Sequence, residues 1–373
     1  MKKILALLTI AAAITACTND DHYTWDDDFA DRTATDTVNI WIGWFKDIVI
    51  VDGDDKYGFV TIEGSDVTVK SNTNKFLDLH LYGECTDGSL TIYSWKKLGI
   101  TLEKLILTNP DGPVINNQCS KALYVKLADY YNTLSDGAAY AERDIDQKAT
   151  LFSEGQIYFQ GYGALTVNGN VRNGIASDDY IVIQGGKVKV NMSTNATNGI
   201  KVNDGFIMQG GTLEVSVKAD GARGIKSDAR TTIEGGNINI TTSGDCKIET
   251  VDGVRDTTSA AGIKSDSLFV MTGGTLVITS TGDGGKGINC SENVEFKGGT
   301  LNISTTGSND VGKPKGVKSD TGIIVSGGSF TVEVNKSWAC DNGSESEEPE
   351  DRLTILGSPV TKNLQKKSVV VQY

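Results

Sequence analysis

The sequence predicts an all-β protein, a single-stranded right-handed parallel β-helix with about 25 residues per coil. Three observations predict this fold. One phrase recurs along the chain, apolar and polar residues alternate within each copy, and the composition combines 43 glycines with only 5 prolines. Abundant Thr, Val and Ile between glycine turns are typical of many short strands. We therefore expect little helix.

The recurring phrase starts with Gly-Ile or Gly-Val and ends, always at the same distance, in Gly-Gly. Its copies begin at Gly174, Gly199, Gly224, Gly262, Gly287 and Gly316. Successive starts are 25, 25, 38, 25 and 29 residues apart. The two longer intervals carry insertions at 243–259 and 307–315, which we expect to form loops on one face of a solenoid and to be places where a loop shapes a ligand site.

Each copy predicts three short strands. In the second copy, Phe206 and Met208 are two residues apart before the Gly-Gly pair, and Leu213 and Val215 alternate with polar residues after it. A period of two indicates a strand. The phrase start supplies the third strand, whose inward places are Ile175, Ile200, Ile225, Ile263, Ile288 and Val317. A leucine-rich repeat has a similar length, but its leucine-asparagine phrase and helical periodicity are lacking here.

Stacked coils would hydrogen-bond about 4.8 Å apart and bury their inner faces against each other. The regular coils occupy 174–340, and weaker versions of the pattern in 38–173 predict irregular N-terminal coils. Residues 341–373 predict an acidic loop followed by C-terminal strands. A solenoid grows in one dimension, so one domain of this length is reasonable.

The N-terminus predicts a lipoprotein signal peptide at 1–16. Lys2 and Lys3 precede an apolar run, and Ile14-Thr15-Ala16-Cys17 has the order of a bacterial lipobox, in which Cys17 is acylated. Acyl chains would hold the protein to a membrane. Ordinary secretion with a chance cysteine is the alternative.

An acidic tether is predicted at 17–37. Asp20 and Asp21 resemble the signal that takes Bacteroidetes-type lipoproteins to the outer face of the outer membrane. We therefore expect a lipid-anchored outer-membrane protein that faces the cell exterior. The alternative is that it faces the periplasm.

Charge and cysteine content exclude some classes of function. Removal of 1–16 takes away two lysines and no acidic residue, which changes the net charge from −13 to −15 and argues against a nucleic-acid partner. The other cysteines have no C-x-x-C spacing, which argues against a disulfide scaffold or a zinc site. A single disulfide bridge between two of them is the alternative. They are Cys85, Cys119, Cys246, Cys290 and Cys340.

The order of segments resembles a known family. TNPDGPVINN, ALYVKLADYYNTLSDGAAY and LFSEGQIYFQGYGALTVNG, followed by repeated GIKSD…GG units, are similar to the bacterial carbohydrate-binding domain family with a polysaccharide-lyase-like (pectate-lyase-like) parallel β-helix. The resemblance runs from about Gly58 to Val334. It implies binding of plant-cell-wall polysaccharides, including acidic pectin, with calcium bound to the β-helix.

Two charged columns are expected on the outer face formed by the phrase starts. The candidate carbohydrate-binding residues are Lys201, Lys226, Lys264 and Lys318, and the candidate calcium ligands are Asp178, Asp228, Asp266 and Asp320. If the columns interleave, they form surface ion pairs that contribute little. If like charges stack unrelieved, a polyanion and calcium would bind them. Ser177, Ser227, Ser265 and Ser319 lie between the two columns, point inward, and could stack their hydroxyls.

One departure from the family puts calcium in doubt. Many members have Asp directly before the Gly-Ile, whereas this chain has Asn173, Asn198, Arg223, Ala261, Lys286 and Lys315. Carboxylates in neighbouring turns could compensate, namely Asp179, Asp204, Asp220, Asp245 and Asp283.

Aromatic residues concentrate upstream of the regular repeats: Tyr82, Tyr93, Trp95, Tyr130, Tyr131, Tyr140, Tyr158 and Tyr162. We expect most of them to pack in irregular coils, with a sugar-stacking surface of two or three as the alternative.

Catalysis is the less favoured reading. A lyase would need a base beside calcium, for which Arg172, Arg223, Arg230 and Arg255 are available, and a hydrolase would need paired carboxylates such as Asp178 and Asp179. His22 and His80 are the two histidines. The favoured hypothesis is a non-catalytic, surface-exposed protein that binds acidic or plant-cell-wall-type polysaccharide. An adhesive β-helix that binds a protein or matrix surface is the first alternative, and a calcium-dependent polysaccharide lyase is the second.

Overall fold

The computed structural model describes residues 37–55, 58–251 and 254–373, and the side chains of 251–256 lie outside what it describes. The signal peptide, Cys17 and most of the tether also lie outside the described residues. The described chain is a parallel β-solenoid of about 11 turns, about 25 residues apart, with almost no helix. The predicted fold class is confirmed.

Each regular coil contributes one strand to each of three parallel sheets. Sheet 1 is formed by the phrase starts: Asp66–Ser71, Ser89–Ser94, Ile115–Asn117, Ala149–Ser153, Asn173–Ser177, Ile200–Val202, Arg223–Ser227, Ala261–Ser265, Lys286–Cys290, Lys315–Ser319 and Trp338–Asp341. Sheet 2 precedes the Gly-Gly pairs: Leu123–Leu127, Ile157–Gly161, Tyr180–Ile183, Gly205–Met208, Arg230–Ile233, Phe269–Met271, Val294–Phe296, Ile323–Val325 and Thr354–Ile355. Sheet 3 follows them: Tyr131–Asp136, Ala164–Gly169, Lys187–Met192, Thr212–Val217, Asn237–Thr242, Thr275–Ser280, Thr300–Thr305 and Ser329–Val334.

Antiparallel hairpins close both ends of the solenoid. The long strands Phe76–Cys85 and Leu98–Asn109 pair in parallel with each other. Leu98–Asn109 then pairs with the first strand of sheet 2, Leu123–Leu127, and with the first strand of sheet 3, Tyr131–Asp136. Before them, Thr37–Phe45 pairs antiparallel with Ile48–Gly53, and Val60–Glu63 pairs antiparallel with the first strand of sheet 1. At the other end, Ser368–Gln372 pairs antiparallel with Ser329–Val334 and with Thr361–Gln365. Such hairpins cover edges that would otherwise pair with other chains.

The longer insertion adds a small element of its own. Lys247–Val251 and Val254–Thr258 form an antiparallel hairpin inside 243–259. The shorter insertion, 307–315, is a loop in which the Ser308 hydroxyl donates to Asp310 at 2.9 Å. Pro349–Arg352 is a short 3-10 turn. None of the helices in the described ranges is long and apolar enough to cross a membrane.

Strand register converts the sequence repeat into interior columns. Ile175, Ile200 and Ile225 pair in successive strands of sheet 1 and are 0% exposed. The expected inward residues of the other copies continue this column. The four inward serines do not bond to one another. Each hydroxyl instead donates to a backbone carbonyl, as Ser177 does to Gly155 at 2.9 Å.

The Gly-Gly pairs are required by the sharp bend between sheets 2 and 3. Gly211 has a φ of +73°, in the left-handed region that side chains disfavour. A Cβ on the preceding Gly210 would lie 2.6 Å from the Gln184 carbonyl oxygen of the previous coil. Both glycines are therefore needed for close coil stacking.

A buried ionic cluster holds the C-terminal acidic loop to the last coil. Asp341 pairs with Lys315 and, at 2.8 Å, with Arg352, and the three side chains are 15%, 9% and 6% exposed. The Arg352 guanidinium also lies 3.7 Å from the Trp338 ring centroid. Burial would raise the pKa of Asp341, but the hydrogen bond and charge of Lys315, with Arg352, lower it.

We predict that Asp341→Ala lowers the free energy of unfolding at pH 7 by about 3 kcal/mol, because two cations stay buried without their partner. Urea unfolding measures this loss. Since the folded pKa lies below the ordinary 3.8, the stabilisation is present above that value and is lost as the pH falls through the folded pKa. The difference between the two proteins should therefore shrink below pH 4.

Asp320→Ala is the matched control. Asp320 pairs with Lys318 but is 53% exposed, so its loss should change stability by less than about 0.5 kcal/mol. Equal losses in the two variants would contradict the special role of the buried cluster.

Candidate functional site

Both predicted charged columns lie along the outer face of sheet 1. Register places Lys201, Lys226 and Lys264 in successive strands, and Asn289 separates Lys264 from Lys318. Asp178, Asp228, Asp266 and Asp320 follow two residues later, where the strand ends, and Asn203 and Ser291 take this position in the other two coils. One exposed face therefore carries both columns.

The columns interleave as ion pairs. Asp228 accepts from both Lys201 and Lys226, and Lys226 also lies 3.6 Å from Asp266. Lys264 pairs with Asp266 at 2.5 Å, and Lys318 pairs with Asp320. The structure thus has the interleaved arrangement, in which each column neutralises the other.

The electrostatics of Asp228 follow from this pairing. Burial alone would raise its pKa, but the hydrogen bonds and charges of Lys201 and Lys226 outweigh it and lower the pKa. The ionised carboxylate is stabilised, and little charge is left over in the column for a ligand.

The aspartate column does not fit a calcium site. Calcium requires six to eight oxygen ligands, yet Asp178, Asp228, Asp266 and Asp320 each face a lysine ammonium group. Across 37–55, 58–251 and 254–373, no group of three or more His, Cys, Asp or Glu side chains is arranged to hold a metal ion.

The outer face changes character at the junction with the irregular coils. Ala176 occupies the position of the column lysines, but it is only 2% exposed and packs with Ala149 and Phe152 in an apolar cluster outside the main core. The Lys148 ammonium lies 5.3 Å from the Phe152 ring centroid. A covered apolar patch therefore replaces the charged column here.

A groove of about 520 Å³ lies over this patch. Its wall carries cationic, amide and carboxylate groups, from Lys148, Arg172, Asn173, Asp178, Lys201, Asn203 and Asp228. Of the four predicted carbohydrate-binding lysines, Lys201 lines the groove. Its ammonium also donates to Asn203 at 2.8 Å.

Two of the cations in the groove differ in their partners. Lys148 pairs with Asp146 at 2.7 Å and with Asp178 at 2.6 Å. Burial would lower its pKa, but these two carboxylates raise it. Arg172 is exposed beside the Tyr140 ring, 5.9 Å from its centroid, and has no carboxylate within ion-pair distance in the described part of the chain. Its guanidinium is available to an anion.

Sequence reasoning missed Lys148 and considered Arg172 only as a catalytic base. The two occupy equivalent places in consecutive coils, because the Asn173 amide donates to the Lys148 carbonyl and the Thr197 amide to the Arg172 carbonyl. Alignment of Leu151 with Ile175 would have found this pair. Lys148 lies in an irregular coil without the recurring phrase, so that alignment had no obvious anchor.

Apart from Arg172 and Asp178, which line the same groove, the candidate catalytic groups do not converge in the described part of the chain. Asp178 pairs with Lys148, while Asp179 accepts from Gln156, and the pKa of Asp179 is raised by burial and by Asp204. His80 bonds Glu103 at 2.9 Å on a different sheet. Arg223 lies in sheet 1 and Arg230 in sheet 2, whereas His22 and the Arg255 side chain lie outside the described residues.

The aromatic residues divide into packed and exposed groups. Tyr158 stacks on Tyr124 with ring centroids 5.1 Å apart, Tyr82 lies against Phe45, and Tyr140 donates to Asp136 at 2.7 Å. Trp95, Tyr130, Tyr131 and Tyr162 are exposed. All five cysteines after Cys17 are buried with free thiols.

Comparison with known proteins connects this geometry to a family. The profile of a family described as "Carbohydrate-binding domain-containing protein" matches residues 63–223 and 220–311, about two thirds of the chain. No curated protein is significantly similar in sequence. The solved polysaccharide lyase-like protein from C. thermocellum, in a gadolinium derivative, is similar with a TM-score of 0.59 and 23% identity, over 71% of this chain and 100% of that chain. At this identity the similarity shows a shared fold.

We predict that calcium does not stabilise the aspartate column, because lysines already neutralise it. Addition of millimolar calcium, or of a chelator, should shift the melting temperature by less than about 1 °C. A calcium-dependent rise of several degrees that Asp228→Asn and Asp266→Asn abolish would contradict this interpretation.

Proposed function

The chain belongs to the carbohydrate-binding domain-containing family, and we propose that it is a non-catalytic, lipid-anchored protein of the cell surface that binds acidic polysaccharide on the outer face of sheet 1. Cys17 would carry the lipid in the outer membrane, and the tether would hold the solenoid outside it.

The groove beside Arg172 carries the proposal of an acidic ligand. A guanidinium presents a planar fork of donors that matches a carboxylate in bidentate geometry. Arg172 is exposed and has no described carboxylate partner, whereas the column lysines are paired. A uronate carboxylate would therefore bind Arg172 without first displacing an internal partner.

Neighbouring groups complete a surface suited to a sugar chain. Asn173 and Asn203 place amide groups along the groove, and Lys201 lies at its edge. Amides donate to and accept from hydroxyl groups, which sugars present in abundance. The groove is open to solvent, so it can admit an internal stretch of polysaccharide.

Support for a non-catalytic role comes from the separation of Asp178 and Asp179 onto different partners. Paired carboxylates that act as acid and base must flank one bond. Here one carboxylate is neutralised by Lys148 and the other accepts from Gln156. Binding is the activity that this arrangement favours.

We predict that Arg172→Gln weakens binding of polygalacturonate fragments about tenfold, since a hydrogen bond to a charged group contributes about 1.5–3 kcal/mol. Isothermal titration calorimetry at low salt measures the change. The same incubations should produce no unsaturated ends that absorb in the ultraviolet and no new reducing ends.

Arg230→Gln is the control, because it removes the same charge from an exposed arginine in sheet 2. Equal weakening in both variants would indicate a general charge effect and contradict the site. Failure of the wild-type protein to bind any polysaccharide would overturn the function itself, and new chain ends would overturn the non-catalytic assignment.

A separate prediction concerns the anchor. Cys17→Ser in the full-length protein should abolish incorporation of labelled fatty acid, because acylation requires the thiol. Protease treatment of intact cells tests exposure at the surface. Unchanged fatty-acid labelling of the variant would contradict lipidation at Cys17.

A further inference from the structure

A second groove, of about 680 Å³, lies at the N-terminal end of sheet 1. It is lined by Phe59, Lys70, Ser71, Asn72, Tyr93 and Trp95. This groove combines aromatic rings with an ammonium group and an amide. Its chemistry therefore differs from that of the groove beside Arg172.

Register shows that the two grooves share one face of the solenoid. Leu90 pairs with Ile115, which pairs with Leu151, which pairs with Ile175. Tyr93 follows Leu90 by three residues, as Asp178 follows Ile175. Tyr93 thus has the place of the aspartate column three coils earlier, about 14 Å away along the axis.

Trp95 is unusually exposed for its type. Its side chain is 75% exposed, whereas Trp44 is 0% and Trp338 is 8% exposed. Exposed indole rings are costly because they leave a large apolar surface in water. Trp95 lines the groove together with Phe59 and Tyr93, and an apolar surface rimmed by polar groups is typical of a ligand-binding groove.

The backbone around Trp95 is held in a defined turn. The Ser94 hydroxyl donates to the Lys96 carbonyl at 2.9 Å and accepts from the Lys96 amide at 3.2 Å. This pair of bonds fixes the residues on both sides of Trp95. The ring is therefore presented by an ordered turn, which lowers the entropy cost of binding.

Polar groups surround the aromatic surface. The Lys70 ammonium lies 5.5 Å from the Tyr93 ring centroid, and Asn72 is exposed beside it. Phe59 is 6% exposed and forms part of the floor. A sugar ring has an apolar C–H face and a rim of hydroxyls, so it matches both parts of this groove.

We propose that Trp95 and Tyr93 form a stacking subsite for the apolar face of a sugar ring, with Asn72 and Lys70 binding its hydroxyls. The inference rests on the proposed function, since it assumes a polysaccharide ligand. It adds a subsite that does not require a carboxylate, because C–H groups pack on the negative face of an aromatic ring whatever the charge of the sugar. The protein would therefore bind neutral as well as acidic glycans.

Titration with a neutral hexasaccharide, xylohexaose or cellohexaose, tests the subsite. The wild-type protein should bind one of them, Trp95→Ala should weaken binding about fivefold or more, and Trp95→Phe should fall between the two. Tyr162→Ala is the matched control, because Tyr162 is 90% exposed but lies between sheets 2 and 3. The Tyr162→Ala variant should bind the hexasaccharide with the affinity of the wild type.

Fluorescence supplies an independent readout. Iodide should quench the Trp95 component, obtained as the difference between the wild type and Trp95→Phe, and saturating sugar should protect it. Unchanged affinity in Trp95→Ala, or binding of polygalacturonate without any neutral hexasaccharide, would overturn the subsite and leave the Arg172 groove standing. No glycan binding at all would overturn the proposed function together with the subsite.

Discussion

Hydrogen bonding between equivalent strands of successive coils is the constraint on which the rest of this structure depends. It brings each repeated residue to within about 5 Å of its counterpart. Inside, this produces continuous apolar columns such as the one through Ile200 and Ile225. Outside, it would stack like charges, and the protein compensates by pairing each aspartate of the column with at least one lysine, as Asp228 pairs with Lys201 and Lys226.

This neutralisation decides which charged groups are available to a ligand. The two columns of the regular coils neutralise each other, because each column lysine has a carboxylate partner. The grooves occur where repetition breaks down, around Arg172 at the junction and around Trp95 in the irregular coils. In the proposed function, the regular coils act mainly as the scaffold and add Lys201 and Asn203 to the first groove, while the irregular coils carry Arg172 and Trp95.

The ends of the solenoid are terminated by specific elements. A parallel stack has no natural stop, so the hairpins Ile48–Gly53 and Thr361–Gln365 reverse strand direction at the edges. The buried Asp341, Lys315 and Arg352 cluster then holds the acidic loop near the last coil. The cluster is sensitive to the loss of any partner, because the remaining charges would stay buried without compensation.

The sequence by itself determined the coil length, the three strands per coil, the inward isoleucines and the two outer columns, because a repeat with constant spacing fixes which side chains stack. Only the tertiary structure decided that the columns neutralise each other, since pairing depends on side-chain positions between coils. It also decided that Lys148 and Arg172 are neighbours and that Trp95 shares their face. In the irregular coils no phrase marks the register, and strand pairing alone brings these residues together.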